Sequence, residues 1–152
     1  MDQKNIPENR RAKALPDEIA RKLAARALQA RSASYCPYSH TAVGAALLCK
    51  DGTIYTGANI ENAAYSPTIC AERVAIFAAI HDGKREFSAI AVAGGEAGKP
   101  PRGAFPPCGV CRQVMAEFCA PDFAVLLADA DGYEETSLGH LLPEGFGPAF
   151  LR

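Results

Sequence analysis

Three cysteines in two short motifs have the spacing of metal ligands. Cys108 and Cys111 are separated by two residues, so a loop that turns into a helix can direct both thiolates at one ion. Cys70 stands in a second motif, Cys-Ala-Glu-Arg. Both motifs lie at predicted helix starts, where backbone N–H groups and the helix dipole favour anions and lower a thiol pKa. The three thiolates therefore predict one metal site, and zinc is the favoured ion.

The number of ligands indicates catalysis. A structural zinc site is normally closed by four protein ligands, whereas a catalytic site keeps one position open. Glu72 follows Cys70 by two residues and is close enough to transfer protons there without being a ligand. Because helical residues two apart face away from each other, we expect Cys70 at the half-helical position before the helix. Taken alone, the C-x-x-C pair is also compatible with redox activity, but the second motif favours a metal enzyme.

Two arginines are candidates for tuning the metal. Three thiolates give an ion a negative donor set, which weakens it as a Lewis acid. Arg73 and Arg112 each follow a thiolate within one turn. We expect both to donate hydrogen bonds to sulfur and to restore part of the lost electrophilicity. Surface ion pairs are the alternative role for these side chains.

Length, charge and cysteine usage limit the class of protein. The chain has 152 residues, of which 49% are hydrophobic, so it can bury one core, and we expect one domain at 15–152 after a flexible extension at 1–14. A formal net charge of -1 provides no basic excess for nucleic acid. No apolar run suits a secretory signal or a membrane span, and six cysteines without a disulfide pattern indicate a reducing compartment, so we expect a cytoplasmic protein.

Hydrophobic periodicity predicts an α/β fold, with helices on both faces of a mixed sheet. We expect a three-layer α/β/α arrangement around five strands, with an irregular loop at 94–107 rich in Gly and Pro. The predicted buried sides are Ile19, Leu23, Ala27 and Leu28 on the first helix, and Cys70, Val74, Phe77, Ala78 and His81 on the second. The predicted helices are 16–32, 70–82, 109–118 and 138–142, and the predicted strands are 43–49, 53–60, 87–93, 123–128 and 133–136.

Four stretches of sequence together resemble one enzyme family. They are Cys-Ala-Glu-Arg from Cys70, Pro-Cys-Gly-Val-Cys-Arg-Gln from Pro107, Asn-Ile-Glu-Asn from Asn59, and Pro-Tyr-Ser-His with Val-Gly-Ala-Ala-Leu from Pro37. In combination they closely resemble the small homotetrameric cytidine deaminases, over a span from about Leu15 to Phe146. The resemblance implies hydrolytic deamination of cytidine and 2′-deoxycytidine to uridine and 2′-deoxyuridine, with release of ammonia, in pyrimidine salvage.

The resemblance also assigns the metal and the proton carrier. It implies that Cys70, Cys108 and Cys111 hold one zinc ion per subunit, which activates the water that attacks C4 of the cytosine ring. Glu72 is then expected to carry a proton to ring N3 and afterwards to the leaving amine. We therefore expect Glu72 to be the catalytic residue.

Further positions match substrate-binding residues of the family. Asn59 and Glu61 match positions that bind the ribose 3′-hydroxyl, and Ala71 matches a position in the substrate site. Phe146 matches an aromatic residue that reaches the base from a neighbouring subunit, and Tyr65 lies near the same interface. The resemblance thus implies a homotetramer with shared active sites that acts on a small nucleoside, without a nucleic-acid or membrane partner.

One residue departs from the family pattern. The family usually has an aromatic residue, commonly Phe, where this chain has Thr41. Loss of a ring removes on the order of 1 to 3 kcal/mol of apolar and stacking contact. We therefore expect a raised KM or an altered sugar preference, which Thr41→Phe would improve. If it does not, the loss is compensated elsewhere, and Phe105 in the loop before Cys108 is a candidate.

The nearest alternative is a deaminase of a modified cytosine nucleoside, of the blasticidin type. Thr41 keeps this alternative open, whereas Glu61 and Asn62 favour an ordinary nucleoside. A deaminase of RNA or DNA is disfavoured by the balanced charge and by the absence of a basic, aromatic-interleaved stretch.

A non-catalytic zinc-binding or nucleoside-binding module is a second alternative, of a different class. Such a module would have a fourth protein ligand or would lack the glutamate at position 72. Glu72 is present, and His40 and His140 are the candidates for a fourth ligand. A single histidine is more often a surface or core residue than a metal ligand.

Overall fold

A mixed five-stranded sheet organises the chain, whose residues 7–151 are described in a computed structural model. The strand order is β2-β1-β3-β4-β5. The β3 and β4 strands are parallel, and the other neighbours are antiparallel, so the predicted mixed sheet is confirmed. The strands are β1 (Thr41–Cys49), β2 (Ile54–Ala58), β3 (Phe87–Glu96), β4 (Ala124–Asp129) and β5 (Gly132–Ser137).

Helices cover both faces of this sheet. The described helices are α1 (Asp17–Ala30), α2 (Ala71–His81), α3 (Gly109–Phe118) and the short α4 (Leu138–Leu141). The α2 and α3 helices pack on one face with Val43, Leu47, Ile90 and Val92, and α1 packs on the other. The three-layer α/β/α prediction is therefore confirmed. Within residues 7–151, no helix is both long and apolar enough to span a membrane.

The α1 helix meets the sheet through small residues. Its buried residues are Ala20, Leu23, Ala24 and Ala27, which pack on a sheet face rich in alanine. Leu23 and Ala27 were predicted here, but the prediction for Ile19 was wrong, because this side chain is 39% exposed. Alanine on both surfaces brings the helix close to the strands, and a larger side chain does not fit between them.

The buried side of α2 also differs from the prediction. Phe77, expected in the core, is 45% exposed, and Val74 is only partly buried. The helix approaches β2 so closely that a Cβ atom on Gly57 would lie 2.3 Å from the Ala71 carbonyl oxygen. The alanines at 71, 75 and 79 therefore lie against the sheet, whereas Ala78 and His81, also predicted on the buried side, are exposed. The buried residues are Ala71, Glu72, Ala75, Ile76 and Ala79.

The β3 strand is longer than predicted. It continues to Glu96, through Gly94 and Gly95, which the sequence placed in an irregular loop. Gly94 pairs with Val43 and Gly95 with Ala42 in the antiparallel ladder. The irregular segment therefore begins at 97 and leads to Cys108.

The part of the predicted flexible extension that the structure describes, residues 7–14, makes hydrogen bonds to the domain. The Lys13 amide donates a hydrogen bond of 2.8 Å to the Asp122 carbonyl, and the Ser137 hydroxyl donates to the Arg10 carbonyl. Leu15 packs against the core beneath α1. These contacts hold residues 7–14. The remainder of the predicted extension, 1–6, lies outside the described residues.

Candidate active site

The starts of α2 and α3 bring three thiols together. Cys70 is the N-cap residue of α2, Cys108 is the N-cap residue of α3, and Cys111 lies in the first turn of α3. The Sγ atom of Cys108 lies 3.8 Å from that of Cys70 and 3.6 Å from that of Cys111. Sulfurs bound to a tetrahedral zinc ion, with bonds of about 2.3 Å, are about 3.8 Å apart. The thiols are therefore spaced for a tetrahedral ion.

The cluster supplies three ligand atoms, not four. All three sulfurs lie within 4.8 Å of one another, and among residues 7–151 no other His, Cys, Asp or Glu belongs to the group. In particular, neither His40 nor His140 joins it. Three protein ligands leave one tetrahedral position for water or substrate, as a catalytic zinc site requires.

The thiols share protons through hydrogen bonds. The pKa of Cys70 is lowered to about 5, chiefly because Cys111 hydrogen-bonds to its thiolate, and Arg73 adds to the effect. The pKa of Cys111 is raised, because its proton is held in that bond and because the side chain is buried. One member of the group is thus stabilised as a thiolate, which is the form that binds metal.

Glu72 lies in the first turn of α2, beside the thiols, and is only 3% exposed. Burial raises the pKa of its carboxyl, and the negative charge of Cys70 raises it further. A hydrogen bond with Cys111 and the charge of Arg73 oppose the rise. A carboxyl of this kind takes up a proton more readily than an ordinary glutamate, as a proton carrier must.

The two arginines have different partners. The Nη2 atom of Arg73 donates to the Cys70 sulfur at 3.4 Å, which is the contact expected from the sequence. Arg112 was expected to contact sulfur as well, but its guanidinium donates to the Pro107 carbonyl at 2.7 Å and the Leu141 carbonyl at 2.6 Å. It therefore fixes the loop before Cys108 against α4, because unpaired carbonyls at that position need a donor.

Asn59 directly follows β2 and ties the end of that strand to the start of β1. The residue is 8% exposed, and its side-chain oxygen accepts hydrogen bonds from the Val43 amide at 2.8 Å and from the Ser34 hydroxyl. Its side-chain nitrogen donates to the Thr41 carbonyl at 2.9 Å. The second hydrogen of that nitrogen is available to a ligand.

Glu61 is held by the loop before β1. Its Oε2 atom accepts hydrogen bonds from the amides of Tyr38 at 2.9 Å and Ser39 at 3.2 Å. The pKa of this carboxyl is lowered, first by a hydrogen bond from the Ser39 side chain and also by these two amides. Ala71, the first residue of α2, is fully buried between the thiols and β2.

Two of the proposed substrate-binding residues lie on the surface. Tyr65 is 71% exposed and its ring contacts that of Tyr38 edge to face, with centroids 5.9 Å apart. Phe146 is 54% exposed and stacks on Phe150. The structure gives neither residue a contact with the thiols of its own chain. Their roles stay predictions.

The sequence did not single out the residues that support the sugar-binding candidates. The hydroxyl of Ser34 and the amides of Tyr38 and Ser39 hold Asn59 and Glu61 in place. The Pro-Tyr-Ser stretch was visible as a motif, but it holds Glu61 through its backbone N–H groups. Every residue except proline has such a group, so the residue types did not predict this contact.

The fold and the site together fit a zinc-dependent hydrolytic enzyme, with three thiols, one open tetrahedral position and a buried carboxyl beside them. Residues 17–127 match the family model described as the cytidine and deoxycytidylate deaminase zinc-binding region. The chain belongs to this family.

Curated relatives and solved structures agree with this assignment. A cytidine deaminase of Sporosarcina psychrophila is 52% identical over 126 residues, which are 82% of this chain and 89% of the relative. One of Halalkalibacterium halodurans is 50% identical, over 79% of this chain and 88% of the relative. The crystal structure of the cytidine deaminase of Burkholderia pseudomallei superimposes with a TM-score of 0.74 at 41% identity, covering 87% of this chain and all of that one. A Mycobacterium tuberculosis cytidine deaminase gives 0.69 at 36% identity, over 83% and 95% of the two chains.

Proposed function

We propose that this protein hydrolyses the C4 amine of cytidine and 2′-deoxycytidine, giving uridine or 2′-deoxyuridine and ammonia, in pyrimidine salvage. The observation that carries the proposal is the buried carboxyl of Glu72 beside three thiols that are spaced for zinc and leave one position open. Relatives named cytidine deaminase, at about half identity over most of the chain, support it. They do not favour the modified-nucleoside alternative.

The thiol group fits a zinc ion by donor type and by spacing. Cys70, Cys108 and Cys111 would hold the ion, with Arg73 donating to the Cys70 sulfur. When bound, zinc supplies a Lewis acid that makes water a nucleophile at neutral pH. The exposed side of the cluster is at Cys108, the most accessible of the three thiols, so substrate can approach there.

Glu72 moves the protons of the reaction. It accepts a proton from the attacking water as the C4–O bond forms and passes it to ring N3. It then takes the remaining proton from the new C4 hydroxyl and delivers it to the exocyclic amine, which leaves as ammonia as the C4–N bond breaks and the C4 carbonyl forms. One water is consumed and one ammonia is released, so atoms and charge balance. The raised pKa of this carboxyl suits it to both acid and base steps.

Asn59 and Glu61 bind the sugar. The carboxylate of Glu61 accepts a hydrogen bond from the 3′-hydroxyl, and the remaining amide hydrogen of Asn59 is donated to the same oxygen. Val43, Thr41 and Ser34 orient the amide, so its position is fixed before substrate arrives. Ribose and deoxyribose both carry a 3′-hydroxyl. Both nucleosides are therefore substrates, and free cytosine is a poor one.

The working form is a homotetramer with shared active sites, located in the cytoplasm and acting on small nucleosides without a nucleic-acid or membrane partner. Two exposed aromatic pairs, Tyr38 with Tyr65 and Phe146 with Phe150, support an interface, because contiguous exposed apolar groups often mark sites of protein association. The tetramer is tested by light scattering at several protein concentrations. A monomer with full activity would contradict it.

The activity is tested with zinc-loaded protein, cytidine, deoxycytidine and cytosine, by following the ultraviolet change on loss of the amine. Both nucleosides are expected to react, and the free base to react poorly. Glu72→Gln should lower kcat by at least about 1,000-fold with zinc retained, whereas the matched change at an exposed glutamate of α3, Glu117→Gln, should not. Bound zinc with no turnover of either nucleoside would refute the proposal.

A further inference from the structure

The segment 97–107, here called the strap, is held firmly although it has no regular secondary structure. Arg31, at the end of α1, donates three hydrogen bonds to main-chain carbonyls around the start of the strap. Its acceptors are Ala42 at 3.0 Å, and Glu96 and Lys99 at 3.1 Å each. The Ala97 amide donates to the His40 carbonyl at 2.8 Å. One cation therefore joins α1, β1, β3 and the strap.

A second attachment holds the middle of the strap to the β4–β5 turn. The carboxylate of Asp129 accepts a hydrogen bond from the Gly103 amide at 2.9 Å. The Ala130 amide donates to the Pro101 carbonyl at 3.0 Å. With its start and its middle fixed, the strap delivers residue 105 to one defined position.

That position is directly on Gly94 of β3. A Cβ atom built on Gly94 would lie 2.4 Å from Cδ1 and 2.5 Å from Cγ of Phe105, so the ring lies where any larger residue would have its side chain. On the other sheet face, a Cβ on Gly95 would meet Pro101 at 3.3 Å. The two glycines allow the strap to wrap around the end of β3, and this close approach explains their presence in a strand.

The ring of Phe105 lies on the face of the sheet that carries the thiols. It packs against the core that contains Val43 and Cys111, and it stays partly exposed. Gly94 pairs with Val43, and Thr41 pairs with Glu96, so Thr41 and Gly94 are diagonal neighbours on this face. Such neighbours are about 7 to 8 Å apart, within reach of an aromatic side chain.

Phe105 is also the only aromatic residue of this core, within 7–151, at the thiol end of the sheet. Phe87 and Phe123 lie at the starts of β3 and β4, and Phe118 lies at the far end of α3. Tyr55 donates a hydrogen bond to Asp82 at the far end of α2. A flat pyrimidine bound near the thiols gains most from a flat apolar surface, because aromatic rings stack favourably on bases.

We propose that Phe105 is a substrate-contacting residue, which provides the aromatic wall for the pyrimidine ring beside Thr41, and that Gly94 is required to admit it. The inference rests on the proposed function, since it concerns the substrate of the same site. Arg31 and Asp129 are positioning residues that act through the strap. Because the side chain of Thr41 is small, it offers no ring to the pyrimidine, and the ring of Phe105 supplies that contact instead.

The test is Phe105→Leu in zinc-loaded protein. The KM for cytidine should rise about 5- to 30-fold, with kcat within about twofold, and uridine, which is not consumed, should bind correspondingly more weakly by calorimetry. Phe118→Leu is the matched control, because this ring is also partly buried against the same core but lies at the opposite end. Equal effects of the two variants on KM and uridine binding would overturn the proposal.

A second variant separates substrate contact from a structural role. Thr41→Phe places a ring on the same face from the neighbouring strand. Added to Phe105→Leu, it should restore most of the lost affinity for cytidine and uridine. In the parent protein, the same change should alter these affinities little. If Thr41→Phe improves nucleoside affinity equally in both proteins, positions 41 and 105 do not contact the same substrate ring, and the proposal is wrong. A further outcome is that the parent protein fails to deaminate cytidine while Phe105→Leu still binds uridine more weakly than the parent does. In that outcome the proposed function is wrong, but the proposed contact between Phe105 and the pyrimidine ring is retained.

Discussion

Arg73 donates a hydrogen bond from Nη2 to the Cys70 sulfur over 3.4 Å. The pKa of Cys70 is lowered by this contact in addition to the larger effect of the hydrogen bond from Cys111. The donated hydrogen withdraws charge from one thiolate, so an ion held by three thiolates keeps more of its electrophilic character. We therefore propose that the guanidinium acts on the ion through the Cys70 sulfur.

Replacing Arg73 by Ala should lower kcat about 10- to 100-fold while zinc remains bound. The physical reason is that the Cys70 sulfur becomes a stronger donor and the ion a weaker Lewis acid. Turnover measured alongside zinc content in the same preparation checks this. Arg73→Lys, which retains the charge, should recover part of the loss. Unchanged turnover at full zinc content in Arg73→Ala would contradict the role.

Arg112→Met is the comparison for that prediction. Arg112 donates to the carbonyls of Pro107 and Leu141 and is assigned no bond to sulfur. Its loss should lower the midpoint of urea unfolding, because two carbonyls lose a charged donor. The zinc-loaded fraction should keep more of its kcat than Arg73→Ala does.

Gly57→Ala should disturb the metal site through packing. The added Cβ would lie 2.3 Å from the Ala71 carbonyl oxygen and 2.7 Å from the Ala75 nitrogen, so α2 must move away from β2. Cys70 precedes that helix directly and must move with it. We expect the free energy of unfolding to fall by about 1 to 3 kcal/mol, and zinc to be lost to a chelator at a lower concentration.

Gly44→Ala is the control for that effect on zinc. Its Cβ would lie 2.2 Å from the Ala27 carbonyl oxygen, so α1, on the opposite face, must move instead. A similar loss of stability is expected, with zinc retention close to that of the parent. Equal loss of zinc in both variants would show that general destabilisation, not displacement of Cys70, weakens the site.

Local motifs allowed the sequence to predict the frame of the site. The α3 helix has the predicted bounds, Gly109–Phe118, and Cys70 lies at the predicted half-helical position before α2. Both follow from short-range rules, because loop, cap and helix are specified within a few residues. The five-strand sheet was likewise readable from β-branched and apolar runs.

Tertiary contacts decided what the sequence did not predict. Phe77 faces outward because Gly57 draws the small residues of α2 onto the sheet, a close approach that periodicity does not encode. The β3 strand continues through Gly94 because Phe105 covers it from a segment eleven residues away. Arg112 bonds to carbonyls and not to sulfur because the last residue of α4, Leu141, places its carbonyl within reach of the guanidinium.

The exposed ion pair between Asp51 and Lys84, at the end of the molecule opposite the thiols, should affect the stability of the fold at acid pH. The pKa of Asp51 is lowered to about 2, because Lys84 and the Thr53 amide donate hydrogen bonds to its carboxylate. Folding thus favours the ionised form, and the resulting stability is present above the ordinary pKa of 3.8 and is lost as the pH falls towards about 2.

Asp51→Asn should therefore reduce the dependence of unfolding free energy on pH between about 4 and 2. Urea unfolding at a series of pH values, with constant ionic strength, measures it. Asp131→Asn, in the exposed β4–β5 turn, is the control and should leave the dependence closer to that of the parent. An unchanged slope in Asp51→Asn would show that the ion pair does not form in solution.

Arg31→Met should release the strap while retaining the apolar stem of the side chain. Three carbonyls lose their donor, so the strap should open more often and become a protease substrate. Trypsin cleavage after Arg102, an exposed residue of the strap, should accelerate by about tenfold or more, and the KM for cytidine should rise because Phe105 is no longer held on Gly94. Arg26→Met, on the exposed side of α1, is the matched control. It should change neither the rate of trypsin cleavage after Arg102 nor the KM for cytidine. Cleavage at Arg102 that is as slow as in the parent would mean that Asp129 and Gly94 hold the strap without Arg31.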